Sequence, residues 1–214
     1  MSIDQVQASR YITELFAMED PVLTQVREDS SRLGLPPISV NAEEGRFLQF
    51  LVRACNAARV VEIGTLGGYS GIWIAQGLAP EGKLITVERE PRHAQIARQH
   101  FAAAGLSERV EVWEGEIPAI FPILAERGPF DFIFIDADKH RYPACLSWAL
   151  ENARPGGLIA AHNAWRNGTV LDPNNREELT LLMRDFTRQA AAEGRWLSTI
   201  YPGGDGMLVG VKNH

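Results

Sequence analysis

The sequence predicts a doubly wound α/β domain, in which a mostly parallel sheet carries helices on both faces. Short apolar, β-branched runs alternate with amphipathic segments from residue 59 onward, as in parallel sheets with crossover helices. The chain has 214 residues and 45% hydrophobic content, enough for one substantial core. No repeat or linker suggests a second domain. We expect one domain over residues 1–214, with a helical cap at 1–57 and an α/β core at 58–214.

Three helices are predicted before the first strand. Apolar residues at helical spacing indicate a first helix over residues 3–18 and a second from residue 21 to about residue 34. Gly34 and the prolines that follow it should end the second helix. A third helix should begin after Asn41, which has the side chain of a helix N-cap and precedes two acidic residues. These helices would form the cap.

The core alternates strands and helices along the chain. Strands are predicted at residues 60–63, 83–88, 110–113, 130–135 and 157–161. Helices are predicted between them at about residues 70–78, 92–104, 117–127 and 142–152. A further helix at about residues 176–192 precedes two strand candidates, 196–201 and 207–211, and the turn-rich segment between them predicts a hairpin.

Composition and charge exclude several classes of function. The formal net charge of −6 gives no sequence-wide attraction for nucleic acid. No apolar run approaches the roughly 20 residues needed to span a bilayer, and no signal-peptide core is present, so we expect a cytoplasmic protein. Cys55 and Cys145 lack metal-ligand spacing and are expected to be buried thiols. A small-molecule substrate is favoured.

A glycine-rich turn and an acidic residue follow the first two strands. Ligands of open α/β sheets bind beyond the carboxyl ends of the strands. The turn from Gly64 to Ser70 would let a ligand approach backbone amides at a helix start. Glu88, about 20 positions further on, could accept hydrogen bonds from two ribose hydroxyls. A purely structural turn and a solvated strand end are the alternatives.

The details of the turn favour S-adenosylmethionine over NAD. Gly64, Gly67 and Gly68 do not have the spacing of the dinucleotide motif. Glu62 at the strand end would repel a pyrophosphate, whereas its carboxylate could attract the ammonium of a methionine moiety.

The fourth and fifth strands end in a second group of polar residues. Asp136 and Lys139 follow the fourth strand, and His162 and Asn163 follow the fifth. Methyl transfer to a hydroxyl needs an aligned and deprotonated acceptor. A metal held by Asp136, His162 and Asn163 could lower the acceptor's pKa, and Lys139 could take its proton. A helix cap with an ion pair, or ordinary loop hydrogen bonding, would explain the same residues.

The chain resembles the class I O-methyltransferases of the catechol and caffeoyl-CoA type from about Ile38 to the C-terminus. The similarity rests on several motifs in order, above all Phe-Asp-Phe-Ile-Phe-Ile-Asp-Ala-Asp-Lys. These motifs lie at residues 40–48, 61–70, 130–139, 154–157, 168–172 and 202–208. The resemblance implies S-adenosylmethionine as cofactor and a Rossmann-like methyltransferase fold of seven strands with the last one antiparallel. It also implies a homodimer built partly from the N-terminal helices.

The resemblance also assigns roles to particular residues. The implied cofactor-binding residues are Val40, Glu62, Gly64, Thr65, Ser70, Glu88, Gly115, Glu116, Ile117 and Asp136. The implied metal ligands are Asp136, His162 and Asn163, and the implied catalytic residues are Lys139 and Asp136.

Two positions depart from the family pattern. Gly115-Glu116-Ile117 stands where the family has Gly-Asp-Ala, a modest change at the adenine pocket. His162 replaces an aspartate metal ligand. Because a neutral imidazole favours Mn, Fe, Ni or Zn over Mg, magnesium dependence is in doubt, and the alternative is that no metal is held.

The leading hypothesis is therefore an O-methyltransferase that acts on a small, catechol-like acceptor. A tRNA-base hydroxyl is the second candidate acceptor, because Arg141, Arg166 and Arg176 could line one rim. The third hypothesis is a cofactor-binding protein that has lost catalysis, which the presence of Asp136 and Lys139 disfavours. An NAD-dependent oxidoreductase is the most distant alternative.

Overall fold

The computed structural model describes residues 4–214, so the predicted helix start at residue 3 lies outside the described residues. Three helices precede the sheet, namely α1 (Gln5–Phe16), α2 (Pro21–Arg32) and α3 (Ala42–Ala54). Each helix has an N-cap residue whose side chain accepts a hydrogen bond from a backbone N–H of the first turn. These N-cap residues are Asp4, Asp20 and Asn41 respectively. Asn41 and Glu44 form a reciprocal capping box, which fixes the first turn of α3.

One seven-stranded sheet forms the centre of the fold. Its strands are β1 (Arg59–Ile63), β2 (Lys83–Glu88), β3 (Val110–Glu114), β4 (Phe130–Ile135), β5 (Ala153–Ala161), β6 (Trp196–Tyr201) and β7 (Met207–Lys212). Their order is β3-β2-β1-β4-β5-β7-β6, and β7 alone runs antiparallel to both of its neighbours. The predicted mostly parallel sheet and its C-terminal hairpin are confirmed. The strand order reverses between β1 and β4, where open sheets bind ligands.

Helices cover both faces of the sheet. The helices of the core are α4 (Tyr69–Gly77), α5 (Pro91–Ala103), α6 (Phe121–Ala125), α7 (Tyr142–Asn152) and α8 (Glu178–Ala192). Successive strand residues point to opposite faces. Val61 therefore packs with residues of α6, α7 and α8, whereas Val60 packs with residues of α2 to α5. The doubly wound architecture is confirmed. Among residues 4–214, no helix is both long and apolar enough to cross a membrane.

Three expectations need correction. Helix α6 spans Phe121–Ala125 rather than residues 117–127, because Pro122 lacks the backbone N–H that would bond to the Pro118 carbonyl and therefore lies in the first turn. Strand β5 begins at Ala153 rather than at residue 157, with a register shift against β4 that admits the glycines. Cys145 is buried as predicted, but Cys55 is only partly buried.

Candidate active site

A cleft of about 780 Å³ lies at the carboxyl edge of the sheet, at the β1–β4 reversal. It is formed by the segments that follow β1, β2, β3, β4 and β5 and by the entry to α3. The sequence-predicted site residues that line it are Val40, Gly64, Thr65, Ser70, Glu88, Gly115, Glu116, Ile117, Asp136, Lys139, His162 and Asn163. The structure thus brings together every predicted site residue except Glu62.

The glycine-rich turn packs tightly between two strand ends. Gly64 has a φ of +103°, and a Cβ atom there would lie 2.0 Å from the carbonyl oxygen of Asp136. The backbone N–H of Leu66 donates to Glu88 Oε2 at 2.8 Å, which fixes the turn against the end of β2. Glu88 Oε1 accepts the N–H of Glu90 at 2.9 Å. The carboxylate is thereby held at the cleft wall, and its remaining lone pairs can accept further hydrogen bonds.

Glu62 lies beneath this turn and not in the cleft. Its side chain is fully buried, and its two oxygens accept the hydroxyls of Ser70 and Thr86, each at 2.6 Å. Burial raises the pKa of Glu62 to about 7. The expected contact between Glu62 and a cofactor ammonium is therefore wrong, and Glu62 is instead a positioning residue that orients Ser70 from below.

Glu62→Gln is expected to be stabilising above neutral pH. In the wild type the folded-state pKa of Glu62, about 7, exceeds the ordinary value of 4.5. The free energy of unfolding is therefore not reduced by Glu62 below pH 4.5, and it falls as the pH rises towards 7 and the buried carboxyl has to ionise. Glutamine has no charge to bury. The free-energy difference between variant and wild type should therefore grow by about 2 kcal/mol between about pH 5 and about pH 8. Urea unfolding at both pH values measures it, and an equal difference at both would contradict the assignment.

Lys139 and Asp136 form an ion pair at the cleft floor. Lys139 Nζ lies 3.0 Å from Asp136 Oδ1 and donates to the Tyr142 hydroxyl at 2.7 Å. Asp138 accepts the N–H of His140 at 3.0 Å and so starts the short 3₁₀ turn that carries Lys139. Burial alone would raise the pKa of Asp136, but Lys139 and His162 hold it well below its usual value. Asp136 is therefore ionised throughout the neutral range.

His162 connects Asp136 to helix α3. Its Nδ1 lies 3.2 Å from Asp136 Oδ2 and its Nε2 lies 2.9 Å from Glu44 Oε1. Burial would lower the pKa of the imidazole, but the two carboxylates raise it to about 10. The ring is therefore an imidazolium at neutral pH, with both nitrogens donating.

The sequence reasoning missed the role of Glu44. The spacing of Asn41 and Glu44 signals a capping box, but no pattern signals that the same carboxylate reaches His162, 118 residues away. Tyr142 and Asp205 were also missed. The Asp205 backbone N–H donates to Glu44 Oε1 at 2.9 Å.

The residues implied as metal ligands do not form a metal site. Asp136 and His162 are brought together, but they contact each other, and Asn163 Nδ2 donates to Asp205 Oδ2 at 2.7 Å. A protonated imidazole has no lone pair for a metal. Within residues 4–214, no group of three or more His, Cys, Asp or Glu side chains could hold a metal ion. As placed in this structure, the donor set does not fit a divalent metal ion.

Comparison with known proteins decides the family. The family model described as O-methyltransferase matches residues 13–213. The chain belongs to the O-methyltransferase family. A catechol O-methyltransferase of Niastella koreensis is 41% identical to this O-methyltransferase over 206 residues, covering 95% of this chain and 91% of that protein.

Solved structures of family members have the same fold as this O-methyltransferase. The O-methyltransferase from Bacillus cereus in complex with SAH aligns with a TM-score of 0.88 and 37% identity, covering 97% of each chain. The O-methyltransferase TomG from Streptomyces achromogenes in complex with SAM aligns with a TM-score of 0.88 and 32% identity, covering 100% of each chain. The chain is thus an S-adenosylmethionine-dependent O-methyltransferase, and the oxidoreductase and binding-protein alternatives are wrong.

Proposed function

We propose that this O-methyltransferase transfers a methyl group to one hydroxyl of a small, catechol-like acceptor. The observation that carries the proposal is the Lys139–Asp136 pair, with 3.0 Å between Nζ and Oδ1, in the same cleft as the glycine-rich turn. Methyl transfer to a hydroxyl requires a base and a binding site for the methyl donor next to it. The name of the Niastella koreensis relative supports a catechol-like acceptor.

The cofactor cradle is assigned to the residues along one wall of the cleft. S-adenosylmethionine supplies the methyl group as part of a sulfonium. Glu88 accepts from the ribose hydroxyls, and the lack of a side chain at Gly64 leaves room beside the backbone. Because Ser70 donates its proton to Glu62, its oxygen is free to accept a hydrogen bond from the ammonium. The remaining contacts are assigned to Val40, Thr65, Asp136 and, at the adenine, Gly115, Glu116 and Ile117.

Lys139 is assigned as the general base. Lys139 first releases one proton of its ammonium to solvent, and the neutral Nζ then takes the proton from the acceptor hydroxyl. The resulting oxygen anion forms the new bond to the methyl carbon. The carbon–sulfur bond breaks, its electron pair stays on sulfur, and S-adenosylhomocysteine is released. The lysine ammonium that results faces Asp136 Oδ1 at 3.0 Å, which stabilises the new charge.

The proposed acceptor class can be tested directly. The purified chain is incubated with S-adenosylmethionine and either a dihydroxybenzene or an aliphatic alcohol of similar size, and the products are identified by mass spectrometry. Methylation of the dihydroxybenzene alone is expected. Turnover of the alcohol alone, or of neither compound, would contradict the proposal.

Glu88→Ala is expected to weaken binding of S-adenosylhomocysteine by about 1 to 3 kcal/mol, because the ribose hydroxyls lose their acceptor. Titration calorimetry measures the change. Glu114→Ala is the matched control, since Glu114 pairs with Glu88 in the sheet register but lies outside the cleft and binds Arg98. The assignment fails if both variants bind the ligand as the wild type does.

We also propose that two copies associate through α1, as the family resemblance implies. Four apolar side chains of this helix are 55% to 74% exposed, namely Val6, Tyr11, Leu15 and Phe16. Exposed apolar patches of this kind typically mark association surfaces. Sedimentation equilibrium should give a dimer mass, and a monomer at all concentrations would contradict the proposal.

A further inference from the structure

His162 lies where the end of β5 meets the start of α3, enclosed between two carboxylates. Its ring nitrogens face Asp136 Oδ2 at 3.2 Å and Glu44 Oε1 at 2.9 Å. A carboxylate oxygen can only accept, so both ring nitrogens must carry a proton. The side chain is only 4% exposed, which leaves it little access to solvent. No lone pair of this ring is available to a metal ion.

Both oxygens of each flanking carboxylate are also hydrogen-bonded. Asp136 Oδ1 binds Lys139 Nζ at 3.0 Å, and Glu44 Oε2 accepts the Asn41 N–H at 2.8 Å. Two carboxylates thus face two cations, and the charges of these four side chains balance one another. A third carboxylate, Asp205, accepts the side-chain amide of Asn163 at 2.7 Å and the backbone N–H of Asn167.

A divalent cation would have to displace several of these contacts at once. It would need to remove a proton from His162, break the two hydrogen bonds of the ring and separate two carboxylates from their cations. Entry would thus require a deprotonation and the loss of several hydrogen bonds between buried groups, and it would leave the Lys139 ammonium without its carboxylate partner. The geometry therefore disfavours metal binding more strongly than the replacement of one carboxylate ligand by histidine would do alone.

We propose that this O-methyltransferase works without a divalent cation, because the His162 imidazolium occupies the place and supplies the charge that a metal would have. His162 is a positioning residue in this arrangement. It holds Asp136 Oδ2, so that Oδ1 stays directed at Lys139, the residue that faces the acceptor. The inference rests on the proposed methyl transfer, but it makes a separate statement about metal binding.

The test combines a binding measurement with an activity measurement. Wild-type protein is treated with a chelator, dialysed and titrated with Mn²⁺ alone by calorimetry, and catechol methylation is then measured with and without added Mg²⁺ or Mn²⁺. We expect no Mn²⁺ binding tighter than about millimolar, and rates that agree within about two-fold across the conditions.

His162→Asp supplies the opposite case. The substitution removes the fixed cation and adds an anionic oxygen, so this variant should bind Mn²⁺ at least about ten-fold more tightly than the wild type, and its activity should become sensitive to chelation. His140→Asp is the matched control, because it adds a carboxylate at an exposed neighbouring position and leaves the imidazolium of His162 in place. It should behave as the wild type does.

The wild-type titration decides the matter even if the His162→Asp variant fails to fold. Micromolar Mn²⁺ binding by the wild type, or activity that is lost on chelation and restored by Mg²⁺ or Mn²⁺, would overturn the inference. Absence of methylated catechol under all conditions would instead contradict the proposed acceptor, and the Mn²⁺ titration would still decide whether a metal is held.

Discussion

Lys139→Ala is expected to lower kcat about 100-fold or more at neutral pH, while the affinity for S-adenosylhomocysteine stays nearly unchanged. The reason is that Nζ, 3.0 Å from Asp136 Oδ1, is the group assigned to take the acceptor proton. Without it the acceptor must ionise unaided, and a phenol does so only near pH 10. Steady-state rates together with calorimetry separate the loss in kcat from any loss in binding.

The control for this prediction is Lys139→Arg, which keeps a positive charge beside Asp136 but cannot act as a base at neutral pH. If Lys139 is the base, the arginine variant should be as slow as the alanine variant. Both variants should then speed up as pH rises towards the pKa of the acceptor. An arginine variant with near wild-type rates would show that the charge alone stabilises the acceptor anion.

Much of the fold could be predicted because a parallel sheet with helices on both faces requires strands that are apolar on both sides. Residues 130–135 read as a continuous apolar run, and β4 is found at Phe130–Ile135. The prediction failed where backbone chemistry competes with periodicity. Pro122 shortens α6 at its start, and the glycines before Leu158 belong to β5 although they are typical of a turn.

The candidate site was predictable only where it follows strand ends. Asp136 and His162 follow the adjacent strands β4 and β5, so their meeting could be inferred from topology. Glu44 comes from a helix before the sheet, and its contact with His162 depends on how that helix packs. Glu62 shows the opposite limit: one residue before Ile63, the last residue of β1, its side chain turns inward to Ser70 and Thr86, so a strand-end acid need not face the ligand.

Gly64→Ala is expected to destabilise the fold by about 3 kcal/mol or more and to abolish measurable cofactor binding, because overlap and backbone strain act together. The added Cβ would lie 2.0 Å from the Asp136 carbonyl oxygen, and the residue has a φ of +103°. The ends of β1 and β4 would have to separate. The cleft and the Lys139–Asp136 pair lie at these strand ends, so both would be distorted. Urea unfolding and calorimetry with S-adenosylhomocysteine measure the two effects.

Gly105→Ala separates the steric part of this effect from the conformational part. Gly105 also has a positive φ, +69°, but an added Cβ there would meet no atom within 4 Å. Its replacement should therefore cost only the left-handed backbone penalty of about 1 to 2 kcal/mol and leave cofactor binding intact. Equal destabilisation of the two variants would mean that the ends of β1 and β4 move apart at little cost to accommodate the added Cβ. The closeness of Gly64 to Asp136 would then not be what shapes the cleft.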